Sequence, residues 1–246
     1  MQKRGLSQEG LKLIACIAML LDHIGTVIVA DCMNNATGAN REELLDLYEM
    51  LRMVGRLAFP IFCFLLVEGS MNTRNAKRYG MRLMIVALLT EIPYDLALCG
   101  ETNWQRQNVM VTLLFGFLML ETMKRYPKIP EKVLTILPFL LLAEYMNAEY
   151  GTKGILTIAL FALTRDLPRS GVWQFLGLWC IFSPNHLMAL NWLRKFSVTI
   201  QELSVFSLVP IALYDGRKVT KHRAVQWAFY LFYPAHLLAL YWIQSI

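Results

Sequence analysis

Residues 11–30 read LKLIACIAMLLDHIGTVIVA. The stretch is apolar and long enough to cross the roughly 30 Å hydrocarbon core of a bilayer as one helix. Inside it sit two ionisable neighbours, Asp22 and His23. Such groups are costly in hydrocarbon and by default mark a function there. Lys12 precedes His23 by eleven residues, almost three helical turns, so the two share a face about 16 Å apart. That face suits a ligand with an anionic head at the Lys12 end and a reactive tip deeper in. The plainer alternative is that Lys12 snorkels to lipid phosphates while His23 bonds a neighbouring helix. Asp22 and His23 diverge by about 100° on a regular helix and cannot form a close dyad. Asp22 therefore needs a cation from elsewhere, and Arg56 is the natural partner; relay to His23 through water is the other option.

The rest of the chain resembles this first span. Of its 246 residues, 56% are hydrophobic and only 17% charged, with a mean hydropathy of +0.42. A soluble domain is nearer half apolar and a quarter charged. The excess runs along the whole length, which predicts an all-α, polytopic membrane bundle forming one domain over 1–246. About nine spans are expected, near 10–30, 53–71, 81–99, 108–124, 132–148, 152–167, 171–187, 196–214 and 224–243. The half-apolar 184–196 stretch is a re-entrant or interfacial tenth element. Ser7 and Glu9 mark the start of span one, and the apolar run is too long, with no small-x-small site, for a signal peptide.

Charge orients the bundle. With the N-terminus in the cytoplasm, the inner segments gather Lys3 and Arg4, Arg74 to Arg82, Lys124 to Lys132, Arg165 and Arg169, and Arg217 to Arg223. An odd span number then leaves the C-terminus outside. The same bias explains the net charge of +6 without nucleic acid. The acidic 31–52 segment reads as a water-facing outer loop. Five cysteines form no CxxC, and a bond between Cys32 and Cys99 stays open. Four scattered histidines argue against a conventional metal site.

Further polar groups fall at span ends. Arg56 and Glu68 bracket span two, with Pro60 to bend it. Glu91 and Asp95 flank Pro93, which is expected to interrupt span three; the freed backbone would need protein or a cavity beside it. The polar stretch from Asn108 to Thr112 opens span four toward the same cavity. His236 lies in an aromatic stripe with Tyr230 and Tyr233, where a core or interfacial histidine is the plain reading. The basic run after Tyr214-Asp215-Gly216-Arg217 reads equally as a phosphate holder or a positive-inside loop.

In order along the chain stand LKLIACIAMLLDHIG, VGRLAFPIFCFLLVEGSMNTRNAKRYGMRL, LTEIPYDL, NVMVTLLFG, LYDGRK and FYLFYPAHL. This series resembles the TraX family, and the DHIG and GRxAFPIFxFLLVEG blocks are its specific part. The family is named for a conjugation protein that N-acetylates pilin, and it is similar to transmembrane acyltransferases. The resemblance implies an enzyme of the bacterial plasma membrane that takes an acetyl group from cytoplasmic acetyl-CoA. The acceptor would be a protein N-terminus such as pilin, a glycan, a lipid or a small molecule. His23 matches the intramembrane catalytic histidine, as general base or, second, as an acetyl-imidazole nucleophile. Asp22 is placed beside it, and Arg56 or a nearby polar group is the expected oxyanion donor. Lys12, Arg74, Arg78, Arg82 and Lys221 are the expected CoA-phosphate ligands. Glu68, Glu91, Asp95, Asn108, Tyr233 and His236 are the expected substrate-cavity residues. The rival reading is a proton-coupled transporter using the same buried charges, which lacks the usual repeated halves; a noncatalytic scaffold for an assembly such as a pilus is the third.

Overall fold

A computed structural model describes residues 5–102, 104–183, 200–219 and 222–245. Its first helix, α1 (Gln8–His23), begins where Ser7 predicts: the Ser7 hydroxyl accepts the Gly10 N–H at 3.1 Å, and Glu9 lies in the first turn. At His23 the helix changes character. Ile24–Val29 is a π-helical turn, followed by α2 (Ala30–Asn35). The Thr26 hydroxyl donates to the carbonyl of Asp22 at 3.0 Å, supplying a partner at the change of register. Single π turns inside helices recur at functional sites because they displace a side chain from its regular face.

Next come α3 (Ala39–Gly55) and α4 (Ala58–Asn72). The segment 31–52 is therefore mostly helical, not a loop: 31–35 lie in α2 and 39–52 in α3, with Glu42, Glu43, Asp46 and Glu49 exposed and Arg52 turned inward to Asp22. α5 (Ala76–Cys99) runs unbroken through Pro93, against the expected interruption. Pro93 is buried among neighbours, which can hold a helix together across a lost backbone bond. α6 (Val109–Met123) is capped by Asn108, whose side chain accepts the Met110 N–H at 2.9 Å. The stretch expected as one span at 132–148 divides into α7 (Ile129–Leu134) and α8 (Leu137–Tyr145), each with a proline at its start; proline favours such first-turn positions and resists helix interiors. α9 (Gly151–Thr164) and α10 (Ser170–Phe182) follow. A 3-10 segment, Ile200–Ser207, leads into the short α11 (Leu208–Ala212), and α12 (Arg223–Gln244) closes the chain.

The described residues form helices and no strands beyond two isolated bridges. Two helical runs, Gln8–Asn35 and Ala39–Asn72, are long and apolar enough to cross a membrane; four other apolar helical runs are shorter. The 184–196 element and Lys221 lie outside the described residues, as do Lys3 and Arg4. All five cysteines are free, so Cys32 and Cys99 are unbonded and exposed.

Helix α1 packs on α3 and α4, α5 lies between α6 and α12, and α9 meets α4, α6, α8 and α10. The basic loop after α11 is stitched to the start of α1. Leu6 N–H donates to the Leu213 carbonyl at 2.7 Å, Asp215 N–H to the Leu6 carbonyl at 3.0 Å, and Gly5 N–H to the Asp215 carboxylate at 3.1 Å. The LYDGRK motif thus ties the start of α1 to the loop before α12; the Arg217 guanidinium beside Asp215 holds its carboxyl below the usual range.

Close approach at α9 depends on Gly154. A Cβ there would run into Thr112 of α6 and meet Phe59 at 3.1 Å and Tyr150 at 3.2 Å. Thr112 is itself fully buried. Gly154→Ala is expected to cost about 1–3 kcal/mol through overpacking, read as a lowered melting temperature of the detergent-solubilised protein.

Candidate active site

His23 is 7% exposed, at the junction of α1 and the π turn. Its Nδ1 lies 2.7 Å from Nε2 of His236 on α12. The Nδ1 of His236 in turn lies 2.7 Å from the carbonyl oxygen of Phe232. A carbonyl only accepts, so His236 carries its proton on Nδ1, and its Nε2 must accept from His23. With both rings neutral, His23 therefore holds its proton on Nδ1 and presents a bare Nε2 lone pair. The partner ring fixes the tautomer, a task often given to a carbonyl or carboxylate. Sequence reading placed His236 in a cavity; the structure makes it the direct partner of His23.

Asp22 points away from His23, as helical geometry requires. Arg56 Nη2 donates to its Oδ1 at 2.6 Å and Arg52 Nη1 to its Oδ2 at 2.8 Å. Four residues apart, Arg52 and Arg56 reach from one face. The expected Asp22–Arg56 pair is present, and Arg52 is the addition. Arg56 further donates through Nε to the Arg52 carbonyl at 3.2 Å and through Nη1 to Gln201 at 3.4 Å. Its donors face Asp22, Gln201 and backbone, so this geometry does not offer Arg56 as a ready oxyanion donor. Gly55 is required beside the pair, because a Cβ there would overlap the Asp22 side chain.

Three cavities meet around this centre. An apolar one of about 120 Å³ extends from Gln8 and Lys12 to Met19 and Tyr233. A small one of about 40 Å³ is walled by Asp22, His23, Glu149 and Tyr150. The two share Met19, Phe62, Val109 and Tyr233, so they adjoin at those side chains. A third, about 470 Å³, is lined by Arg106, Glu144 and Lys153 and shares Glu149 and Tyr150 with the second. At the far end of the first, Lys12 Nζ lies 5.4 Å above the Phe229 ring, and the Arg82 guanidinium lies 5.6 and 5.9 Å from the Tyr79 and Tyr230 rings. Lys218 and Arg82 are both close enough to act electrostatically on Lys12.

The other expected residues are dispersed. Arg74 and Arg78 are exposed, and neither lines these cavities. Glu68 lies in a separate cavity, with Arg165 Nε at 2.7 Å. Glu91 and Asp95 are buried on α5; Glu91 accepts a short bond from the Asn108 side chain, which also donates to the Ala87 carbonyl at 2.9 Å. Glu91 and Asn108 brace the start of α6, and of the cavity set His236 and Tyr233 adjoin His23, at 5.0 and 6.2 Å between ring centroids.

Glu149 was missed by sequence reading. It lies in the turn between α8 and α9, outside the spanning helices. That turn is held by Gln107, which accepts the Glu149 N–H at 2.9 Å and donates its own N–H to Asn147 at 3.2 Å, and by Thr112, whose hydroxyl bonds the Glu149 carbonyl. Tyr150 adopts a positive φ of 64°, rare for a bulky residue, and stacks on Phe59 at 3.7 Å. The only sequence signal was an acid between apolar stretches beside Tyr and Gly.

Burial pushes the Glu149 carboxyl up to about 7, with Asp22 adding to the rise and Arg106, Arg56 and Arg52 opposing it. Between the ordinary value of 4.5 and about 7 the folded protein holds a proton that the unfolded chain releases. Stability from this group is therefore present at low pH and is lost as pH rises through about 7. Relative to Glu149→Gln, the wild type should melt progressively lower as pH is raised across that window. Asp22→Asn is expected to cost about 3 kcal/mol by stranding two guanidiniums, measured by thermal unfolding in detergent.

The model of the family described as TraX protein matches residues 7–244. The chain is also 28% identical to a probable fimbrial assembly protein FimC, serogroup H1, of Dichelobacter nodosus, over 94% of this chain and 92% of that protein. No solved structure matches it. With a family match spanning nearly its whole length, the chain belongs to the TraX family.

Proposed function

We propose that this protein is an integral membrane acyltransferase, moving an acetyl group from acetyl-CoA to an amine or hydroxyl acceptor, with His23 as general base. The observation that carries the reading is the bare Nε2 of His23 beside a cavity that adjoins one reaching Lys12. In this reading the chain is multi-pass, its N-terminus is cytoplasmic and its C-terminus lies outside. The basic mouth formed by Lys12, Arg82 and Lys218 is on the donor side. These cations hold the CoA phosphates as charge-assisted partners, with Arg74 and Arg78 adding to the local field. The apolar cavity takes the pantetheine arm. The acceptor enters from the opposite side, past Glu149 and Tyr150. Because FimC is described as a fimbrial assembly protein, a fimbrial subunit is the first acceptor to try.

The chemistry follows from the histidine pair. His23 Nε2 removes the acceptor proton as the acceptor attacks the thioester carbonyl. The new positive charge is stabilised through Nδ1–H, which already donates to His236. His23 then returns the proton to the departing thiolate. No metal is required in this sequence of steps.

His23→Gln is expected to lower thiol release from acetyl-CoA, in detergent with a cell-envelope extract as acceptor source, by about 10²–10⁴-fold. Undiminished turnover by a folded variant would overturn the base role. Lys12→Ala should raise KM for acetyl-CoA and lessen its salt dependence while leaving kcat nearly unchanged. Solute uptake into proteoliposomes without any thioester would instead favour a transporter.

A further inference from the structure

With Arg56 turned to Asp22, the transition-state oxyanion needs another donor. Tyr233 is 4% exposed, and its hydroxyl has no hydrogen-bond partner among the described residues. A buried polar group left without a partner calls for an explanation. Tyr233 lines both the apolar cavity and the small cavity of His23. Its ring centroid is 6.2 Å from His23 and 5.8 Å from His236. Three residues before His236, it shares that residue's face of α12.

A second donor adjoins it. The backbone N–H of Val109 is that donor: Val109 lines the same two cavities as Tyr233. Val109 is the first residue of α6, so its N–H has no acceptor within the helix. Fifteen residues of α6 direct their dipole at this point. Asn108, capping the helix from a fully buried position, holds the end rigid.

We propose that the Tyr233 hydroxyl and the Val109 N–H form the oxyanion site of the transferase. The assignment rests on the acyltransferase reading above. The acceptor lone pair forms a bond to the thioester carbonyl carbon, and the carbonyl π pair moves to oxygen. Tyr233 O–H and Val109 N–H donate to that oxygen while the acceptor proton passes to His23 Nε2. On collapse the C=O re-forms, the C–S bond breaks, and the thiolate takes the proton from His23. Atoms and charge balance with no further reagent. Donors fixed in a dry site cost little reorganisation as the charge develops.

Tyr233→Phe removes one oxygen and retains the ring against both histidines. With acetyl-CoA and envelope extract, kcat is expected to fall about 10²-fold while KM for acetyl-CoA stays within about threefold. A trifluoromethyl-ketone analogue of acetyl-CoA, which adds a nucleophile to mimic the tetrahedral adduct, should bind about 10²-fold more weakly to the variant, with CoA itself bound equally well. A purely packing role would move thermal stability but not this split. If wild type turns over acetyl-CoA, His23→Gln does not, and Tyr233→Phe retains the wild-type kcat, the oxyanion assignment is overturned and the acyltransferase reading stands. If the wild type itself shows no thioester-dependent transfer, both are overturned.

Discussion

The bundle is organised around one carboxylate. Asp22 is mostly buried, and two guanidiniums meet it from the junction of α3 and α4. The three groups leave a net positive charge, whose field reaches Glu149 on the neighbouring turn. This ionic knot fixes the rotation of α1, because Asp22 must face the arginines. His23, the next residue, is thereby turned about 100° away toward α12. Charge pairing on one side of the helix thus sets where the imidazole points on the other. The π turn immediately after His23 allows the remainder of the helix to take its own register against α3.

Around that centre the polar groups divide into two kinds. Glu91 with Asn108, Glu68 with Arg165, and Asp215 with Arg217 bind one another or the backbone and act as joints. The Nε2 of His23, the carboxylate of Glu149 and the hydroxyl of Tyr233 border open volume instead. This second group, assembled from α1, the α8–α9 turn and α12, is where acyl-transfer chemistry is proposed. Its components come from far apart in the chain, and buried polar contacts brace the elements beside them. Asn108 and Thr112 on α6 illustrate this, bracing the helix end and the Glu149 turn respectively.

Local rules were enough for what lies on one helix. The apolar period, the Ser7 cap, the divergence of Asp22 from His23 and the need of Asp22 for a cation were all readable from residues a few turns apart. Arg52 was hidden because charges at 31–52 resemble a solvated loop, whereas the helix exposes the acids and turns this one cation inward to Asp22. The division of 132–148 reflects proline position, which a hydropathy window averages away. The bond from His23 to His236 spans 213 residues, and no periodicity encodes a contact at that separation. Glu149 was equally silent: its environment is supplied by Gln107, Thr112 and Phe59, all on other elements.

That long-range histidine bond has a consequence during synthesis. Until α12 arrives, nothing fixes the tautomer of His23, Tyr233 is absent from the wall of both cavities, and the loop that stitches itself to Leu6 has no final helix to lead into. The proposed reactive centre is thus incomplete until a helix 213 residues beyond His23 has been made. A chain that stops before residue 230 holds Lys12 and His23 but neither Tyr233 nor His236, so in the proposed reading it is inert.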